Sequence, residues 1–205
     1  MKKIIYSSFF LGFILILTSC KQEGLLFYPD KLPPDYKFHF EGKYQEYNFK
    51  VDEKTNLNGL LFKTDTSKGL IFYLHGNAGC IDSWGNCAGI YTSNKFDFFI
   101  LDYRGYGKSQ GAISSEKQLF NDIRIVYDSL KSIYDEKKII VIGYSIGTGL
   151  AAQLASETNP KILVLKAPYY NLPDLVHNLF SKLIPSFIIR YKLRTNEYIT
   201  KVKCL

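Results

Sequence analysis

Residues 139–149 read IIVIGYSIGTG, and no other stretch of the chain says more about its architecture. The first four residues are an apolar run typical of a buried strand, and the apolar pattern of residues 146–156 indicates a helix. Between them lies a G-x-S-x-G sequence centred on Ser145. A serine on such a sharp strand-to-helix turn is lifted to the carboxyl edge of a sheet, with its hydroxyl free for attack. Ser145 is therefore the candidate nucleophile of an α/β domain.

The rest of the chain from residue 44 alternates short apolar runs with helical patterns. This order is typical of an α/β domain with a mostly parallel sheet. The predicted strands are residues 44–51, 57–63, 69–74, 96–101, 139–142 and 162–165, and the predicted helices are 83–93, a face from Leu119 to Ile133, and 146–156. A polar turn at 52–56 makes the first two strands a candidate antiparallel hairpin. Ser115 and Gln118 predict a capping box for the second helix.

Composition and charge exclude several classes of protein. Of the 205 residues 46% are hydrophobic and 22% charged, which fits one globular domain. The net charge of +7 lies mainly at the two ends, since Lys2, Lys3 and residues 171–205 leave only +1 for residues 4–170. A nucleic-acid binder carries its basic stripe across the folded core, so no nucleic-acid partner is expected. Four Cys and three His without metal-ligand spacing predict no metal and no cofactor.

Residues 1–19 predict a signal peptide. Two lysines precede an apolar run over 4–17, which as a helix spans roughly 21 Å against the ~30 Å of a bilayer core. The sequence Leu17-Thr18-Ser19-Cys20 resembles a bacterial lipobox, which implies an acylated Cys20 and a lipid-anchored protein of the bacterial cell envelope, outside the cytoplasm. An uncleaved signal anchor and a simple secretory peptide are the alternatives. Residues 20–43 are interpreted as a tether.

Two further loops complete a pattern of three motifs. Residues 75–79 read HGNAG after one predicted strand, and residues 102–109 read DYRGYGKS after the next. Together with GYSIG, they resemble the serine-aminopeptidase-like branch of the α/β-hydrolase superfamily, over residues from about 44 to 205. The resemblance implies an α/β-hydrolase sheet and a serine hydrolase with Ser145 as nucleophile. It also implies that the backbone N–H groups of Asn77 and Ile146 stabilise the oxyanion.

The other two members of a catalytic triad are missing from the motif pattern. In the family that the chain resembles, the acid follows the seventh strand and the histidine the eighth, and the chain reaches Leu205 before either. Residues 44–205 are therefore interpreted as a C-terminally truncated domain with an incomplete sheet and a lid-like segment at 171–200. Asp174 and His177 are one helical turn apart, but nothing places them over the nucleophile. His75 is expected to hold its own loop.

The predicted function is a serine hydrolase that acts on an ester, thioester or amide through an acyl-enzyme at Ser145. The substrate is a small molecule, a peptide or a lipid. Without a base the chain as printed is expected to be inactive or nearly so, because removal of triad members lowers turnover by up to ~10⁶. The alternative is a non-catalytic, membrane-anchored binding lipoprotein on the same scaffold. The apolar and basic segment 171–203 fits a lid near anionic lipid or a contact for acidic residues elsewhere.

Overall fold

The apolar runs form one central sheet in the computed structural model, which describes residues 22–179 and 185–204. The strands are β1 Tyr28–Pro29, β2 Lys43–Lys50, β3 Asn56–Lys63, β4 Leu70–Leu74, β5 Ala78–Gly79, β6 Asp97–Leu101, β7 Ile139–Tyr144 and β8 Ile162–Lys166. The helices are α1 Glu23–Leu26, α2 Ile81–Trp84, α3 Ala88–Thr92, α4 Glu116–Lys131, α5 Ile146–Glu157, α6 Leu172–Leu179 and α7 Thr195–Tyr198. Single 3₁₀ turns lie at Gly85–Cys87, Glu136–Lys138 and Ile199–Lys201.

The main sheet has the order β2-β3-β6-β4-β7-β8. The pairs β2–β3 and β3–β6 are antiparallel, whereas β6, β4, β7 and β8 run parallel. The predicted hairpin and the mostly parallel sheet are thus confirmed. Strand β4 lies between β6 and β7 in the sheet. The connection from β4 to β6 therefore runs in one direction along the sheet, and the connection from β6 to β7 runs in the opposite direction. In open α/β sheets, ligands bind in the crevice at such a switch point, beyond the carboxyl ends of the strands.

Helix α4 covers one face of this sheet with the apolar side that the sequence predicts. Leu119, Ile123, Val126 and Leu130 are buried, while Ile133 lies beyond the end of the helix and is 56% exposed. Of the two hydrogen bonds that make up the predicted capping box of α4, the structure contains one. The Ser115 hydroxyl accepts the Gln118 N–H at 3.1 Å, but the Gln118 side chain accepts from the N–H of residue 114 instead.

The prediction of one continuous helix over residues 83–93 is wrong. The structure has α2, a 3₁₀ turn and α3 in its place. Glycine has the lowest helix propensity after proline, and Gly85 begins the 3₁₀ turn that interrupts this stretch. Gly85 also lies against the Phe40 ring, where a Cβ would overlap it, so tertiary packing fixes the position of the break.

The segment that follows residue 21 packs on the domain, whereas the sequence suggests a tether over 20–43. Strand β1 pairs in parallel with β5, and the N–H of Leu32 donates to the Gly107 carbonyl at 2.9 Å. Phe27 and Phe38 are buried. The tether interpretation therefore fails for the described part of the segment, because its apolar side chains have partners on the domain. The predicted signal peptide and Cys20 lie outside the described residues.

In the described part of the lid-like segment 171–200, α6 and α7 are helical and residues 185–194 form no helix or strand. Within the described ranges, β8 is the last strand of the main sheet and forms one of its edges. No helix in those ranges is long and apolar enough to cross a bilayer.

Candidate active site

Ser145 lies on a strained turn between β7 and α5. Its backbone has φ 51° and ψ −118°, in the region that favours glycine. Such a conformation costs about 1–3 kcal/mol and persists only where the surroundings enforce it. The Ser145 N–H donates to the Lys166 carbonyl at 2.9 Å, and the Ser145 carbonyl accepts from the Thr148 N–H and hydroxyl at 2.9 and 2.6 Å. Both sides of the turn are thereby fixed.

Two glycines allow this turn to form. A Cβ on Gly147 would overlap the Leu74 carbonyl oxygen, and a Cβ on Gly143 would overlap the backbone of Gly147. Helix α5 therefore starts directly against the ends of β4 and β7. This close approach brings Ser145 to the carboxyl edge of the sheet, as the motif predicts.

The structure brings all three predicted site residues to one cavity. Asn77, Ser145 and Ile146 line a cavity of about 190 Å³. Within residues 22–179 and 185–204, neither the Asn77 nor the Ile146 backbone N–H donates to an acceptor. Asn77 is itself held by the Tyr106 hydroxyl, which donates to its carbonyl oxygen at 2.7 Å. Fixed, unused N–H groups beside a hydroxyl are what an oxyanion site requires.

The rest of this cavity is apolar, and sequence reasoning missed part of it. Its other lining residues are Leu25, Leu26, Tyr28, Leu172, Leu175, Val176 and Leu179. The α6 residues fall in the predicted lid-like segment. The residues of α1 and β1 fall in the segment for which the sequence suggests a tether. The apolar triplet at 25–27 is the one local signal that could have indicated packing there.

His75 is buried at the start of the 75–79 loop, and its contacts agree with a structural role. Its Nδ1 lies 2.7 Å from the Gly76 carbonyl oxygen, and its ring lies 4.3 Å from that of Tyr103, centroid to centroid. Its Nε2 lies 3.5 Å from Oδ1 of Asp102, which also accepts the Ile81 N–H at 2.9 Å. Burial raises the pKa of Asp102 above its ordinary value, and the neighbouring His75 opposes that rise.

The DYRGYGKS loop is fastened to the domain through Arg104. The guanidinium binds both carboxylate oxygens of Asp122 on α4, at 2.5 and 2.8 Å, and Asp52 in the hairpin turn at 2.7 Å. These carboxylates raise the pKa of Arg104, foremost through Asp122. The pKa of Asp52 is lowered to about 2 by the Lys54 N–H and then by Arg104. Sequence reasoning missed Asp122, although an aspartate on the apolar face of α4 is a signal for a buried partner.

Asp174 and His177 are not among the residues that line the cavity with Ser145, although both belong to α6. Asp174 is exposed, accepts from the Asn171 side chain at 2.8 Å and lines a different cavity. The His177 Nε2 lies 3.5 Å from the Ser186 hydroxyl. No histidine of the described residues lines the Ser145 cavity.

Comparisons with known proteins point to one family. Residues 65–202 match the sequence model described as serine aminopeptidase, S33. The chain is 33% identical to lysophosphatidylserine lipase ABHD12 of Gallus gallus over 116 residues, which are 53% of this chain and 30% of that protein. It is 28% identical to protein bem46 of Schizosaccharomyces pombe over 174 residues, 78% of this chain and 58% of that protein. The chain thus spans under two thirds of either relative.

Solved structures show the same architecture. An alpha-beta hydrolase from Vibrio vulnificus aligns with a TM-score of 0.66 and 22% identity, over 78% of this chain and 60% of that one. The Pyrococcus furiosus esterase Pf2001 aligns with a TM-score of 0.61 and 20% identity, over 87% of this chain and 73% of that one. At these identities the likeness establishes the fold alone.

Proposed function

This chain belongs to the serine aminopeptidase S33 family and has the α/β-hydrolase fold, and we propose that it is a serine hydrolase of acyl esters with Ser145 as its nucleophile. One observation carries the proposal. Ser145, on its strained turn, shares a cavity with two backbone N–H groups that have no acceptor among the described residues.

The proposed reaction proceeds through an acyl-enzyme. The Ser145 oxygen attacks the ester carbonyl, and the negative charge that develops on the carbonyl oxygen is stabilised by the Asn77 and Ile146 N–H groups. Each such donor typically contributes ~2.7–4 kcal/mol to transition-state stabilisation. The alcohol leaves, and water then releases the acyl group from the serine. Thioesters and amides present the same carbonyl chemistry.

The apolar cavity favours esters of an acyl chain. Residues of α1, β1 and α6 line the same cavity as Ser145. Pockets for apolar ligands combine such a lining with a few fixed polar groups. One relative is named a lipase, and one structural neighbour is named an esterase. These names support an ester as the substrate.

The chain of 205 residues is proposed to turn over slowly by itself. No histidine of the described residues lines the cavity, so no imidazole of those residues is in place there to accept the serine proton.

Labelling by a fluorophosphonate, read by mass spectrometry, tests both the assignment of Ser145 as the nucleophile and the proposed slow turnover. We expect slow modification of Ser145, acceleration by added imidazole acting as an external base, and no modification in Ser145→Ala. If imidazole has no effect on a readily labelled serine, a base is already in place and the slow-turnover proposal is wrong.

The second candidate is a binding lipoprotein on the same scaffold. The absence of a histidine around the cavity in the described ranges favours it. A folded, monomeric sample that shows no labelling with or without imidazole would establish this candidate over the enzyme.

Membrane attachment through Cys20 in a bacterial cell envelope is also proposed, on the lipobox-like sequence that precedes it. Metabolic incorporation of an alkynyl fatty acid tests this attachment. We expect the label in the parent chain and none in Cys20→Ala.

A further inference from the structure

The face of the molecule around the Ser145 cavity carries exposed apolar side chains. We define this docking face as α1, β1, α6 and residues 185–194. Four of the nine large hydrophobic side chains that are exposed in the described residues belong to it: Phe187 at 84%, Leu179 at 68%, Tyr28 at 52% and Leu25 at 49%. Leu25, Tyr28 and Leu179 also line the cavity, so the apolar surface continues into it.

The docking face carries a small excess of positive charge. It contains three cations, Arg190, Lys192 and Arg194, and two carboxylates, Glu23 and Asp174. Arg190 lies 3.6 Å from Glu23, and Arg194 lies 3.2 Å from Glu197. The Lys192 Nζ donates to the Ser186 carbonyl at 2.6 Å and has no carboxylate partner within the described residues. Apolar side chains among cations are typical of segments that rest on anionic bilayers.

Gln22, two positions after the proposed anchor site, is held on this same face. The Gln22 side chain donates to the Ile188 carbonyl at 2.7 Å and accepts the Arg190 N–H at 2.9 Å. The next residue, Glu23, accepts from the Tyr191 hydroxyl at 2.7 Å. Cys20 precedes Gln22 by two positions in the sequence, and two residues of chain span at most about 7 Å. A lipid attached to Cys20, as proposed above, would therefore hold the bilayer close to the docking face.

We propose that the docking face lies against the lipid bilayer, with the Ser145 cavity open towards it, so that an acyl ester enters from the membrane. The inference rests on the proposed function for the fate of that ester and on the proposed anchor for its geometry. The substrate class that follows is an amphiphile held in the bilayer, whose acyl chain passes between Leu25 and Leu179 to reach the serine. A water-soluble ester does not need this face.

Fluorescence quenching in vesicles tests the orientation directly. The full chain, expressed with its own N-terminal residues, is reconstituted into vesicles of phosphatidylcholine and phosphatidylglycerol that contain brominated lipid. Phe187→Trp places a fluorophore on the docking face. Ile133→Trp is the matched control, since Ile133 is also exposed but lies near the amino ends of the parallel strands, opposite Ser145. The native Trp84 gives the same background in both.

We expect strong quenching and a blue shift for Phe187→Trp and neither for Ile133→Trp. Equal quenching of the two variants, or quenching of Ile133→Trp alone, would overturn the proposed orientation. This measurement needs no reaction at Ser145, so it decides the orientation even if the hydrolase proposal is wrong.

A labelling experiment then tests the route of the substrate. We expect Phe187→Asp to lose labelling by a long-chain alkyl fluorophosphonate dissolved in the vesicles and to keep labelling by a short, water-soluble one. The control Ile133→Asp should keep both. Unchanged labelling of Phe187→Asp by the membrane-dissolved probe would overturn entry from the bilayer. If neither probe labels the parent chain, the proposed function fails while the quenching result stands.

Discussion

The Tyr106 hydroxyl donates a hydrogen bond to the carbonyl oxygen of Asn77 at 2.7 Å and lies 3.2 Å from the Asn77 side-chain oxygen. This contact joins the loop after β6 to the loop after β4. Burial raises the pKa of Tyr106, so its hydroxyl stays protonated and keeps donating at neutral pH. The conformation of the 75–79 loop thus depends on a side chain from the DYRGYGKS motif.

Tyr106→Phe should slow fluorophosphonate labelling of Ser145. The loop loses a buried hydrogen bond, which lowers the free energy of unfolding by about 1 kcal/mol. A displaced Asn77 N–H also stabilises the oxyanion less well, and we expect labelling to fall by about tenfold or more. Tyr170→Phe is the control, because Tyr170 is exposed. If Tyr106→Phe loses stability but labels at the parent rate, Tyr106 has no part in placing the oxyanion site.

Gly147→Ala should destabilise the protein and disturb the Ser145 turn. The new Cβ would overlap the Leu74 carbonyl, and overpacking of this kind costs about 1–3 kcal/mol. Gly89→Ala is the matched control, since Gly89 is also helical and has no atom within 4 Å of an added Cβ. That change should be neutral or stabilise by about 0.4–1 kcal/mol. Urea denaturation of both variants measures the difference, and equal free energies of unfolding would refute the close approach.

Ser145→Gly should raise the free energy of unfolding. Glycine adopts the φ of 51° without strain, and relief of that strain is worth about 1 kcal/mol or more. Ser145→Ala keeps a Cβ and should show no such gain. Both variants should lack labelling. Thermal unfolding of the two side by side separates the effect of the backbone from that of the hydroxyl, and equal melting temperatures would show that the turn is unstrained.

Asp102→Asn should alter how stability depends on pH. Burial raises the folded pKa of Asp102 above the unfolded value of about 3.9, so the folded state holds this proton more tightly. The resulting stabilisation is complete below the unfolded pKa and is lost as the pH rises through the folded pKa. Asparagine has no such proton. Relative to Asp102→Asn, the parent should therefore lose stability as the pH rises from about 4 towards neutrality.

Denaturation curves collected across this pH range measure the effect. Asp65→Asn provides a control on an exposed carboxylate. Parallel stability curves for the parent and Asp102→Asn would contradict the raised pKa.

Much of the fold could be predicted from the sequence because its signals are local. Strands β4 and β6 are completely buried, and apart from Asp97 their sequences are continuous apolar runs that local patterns identify. The Ser145 turn is equally local, since the glycines that allow it lie two residues away on either side. The loop at 75–79 could be placed beside it because both follow neighbouring parallel strands.

The remaining features depend on contacts between distant positions. The Gln22 bond to Ile188 spans 166 positions, and β1 is only two residues long, so no periodicity could indicate that residues 22–32 pack on the domain. The Arg104 pair with Asp122 likewise becomes visible only after α4 is laid on the sheet. For the same reason, the apolar wall that α1 contributes to the cavity could not be predicted.

The pairing of β1 with β5 bears on how this protein can be produced. A shortened gene that starts at codon 44 would remove the predicted lipid attachment, and in doing so it would also strip Leu25, Leu26 and Tyr28 from beside Ser145. Detergent extraction of the whole polypeptide keeps these side chains, whereas trimming for solubility discards them. A recombinant protein that starts at residue 44 would therefore have a different cavity beside Ser145 from that of the whole polypeptide.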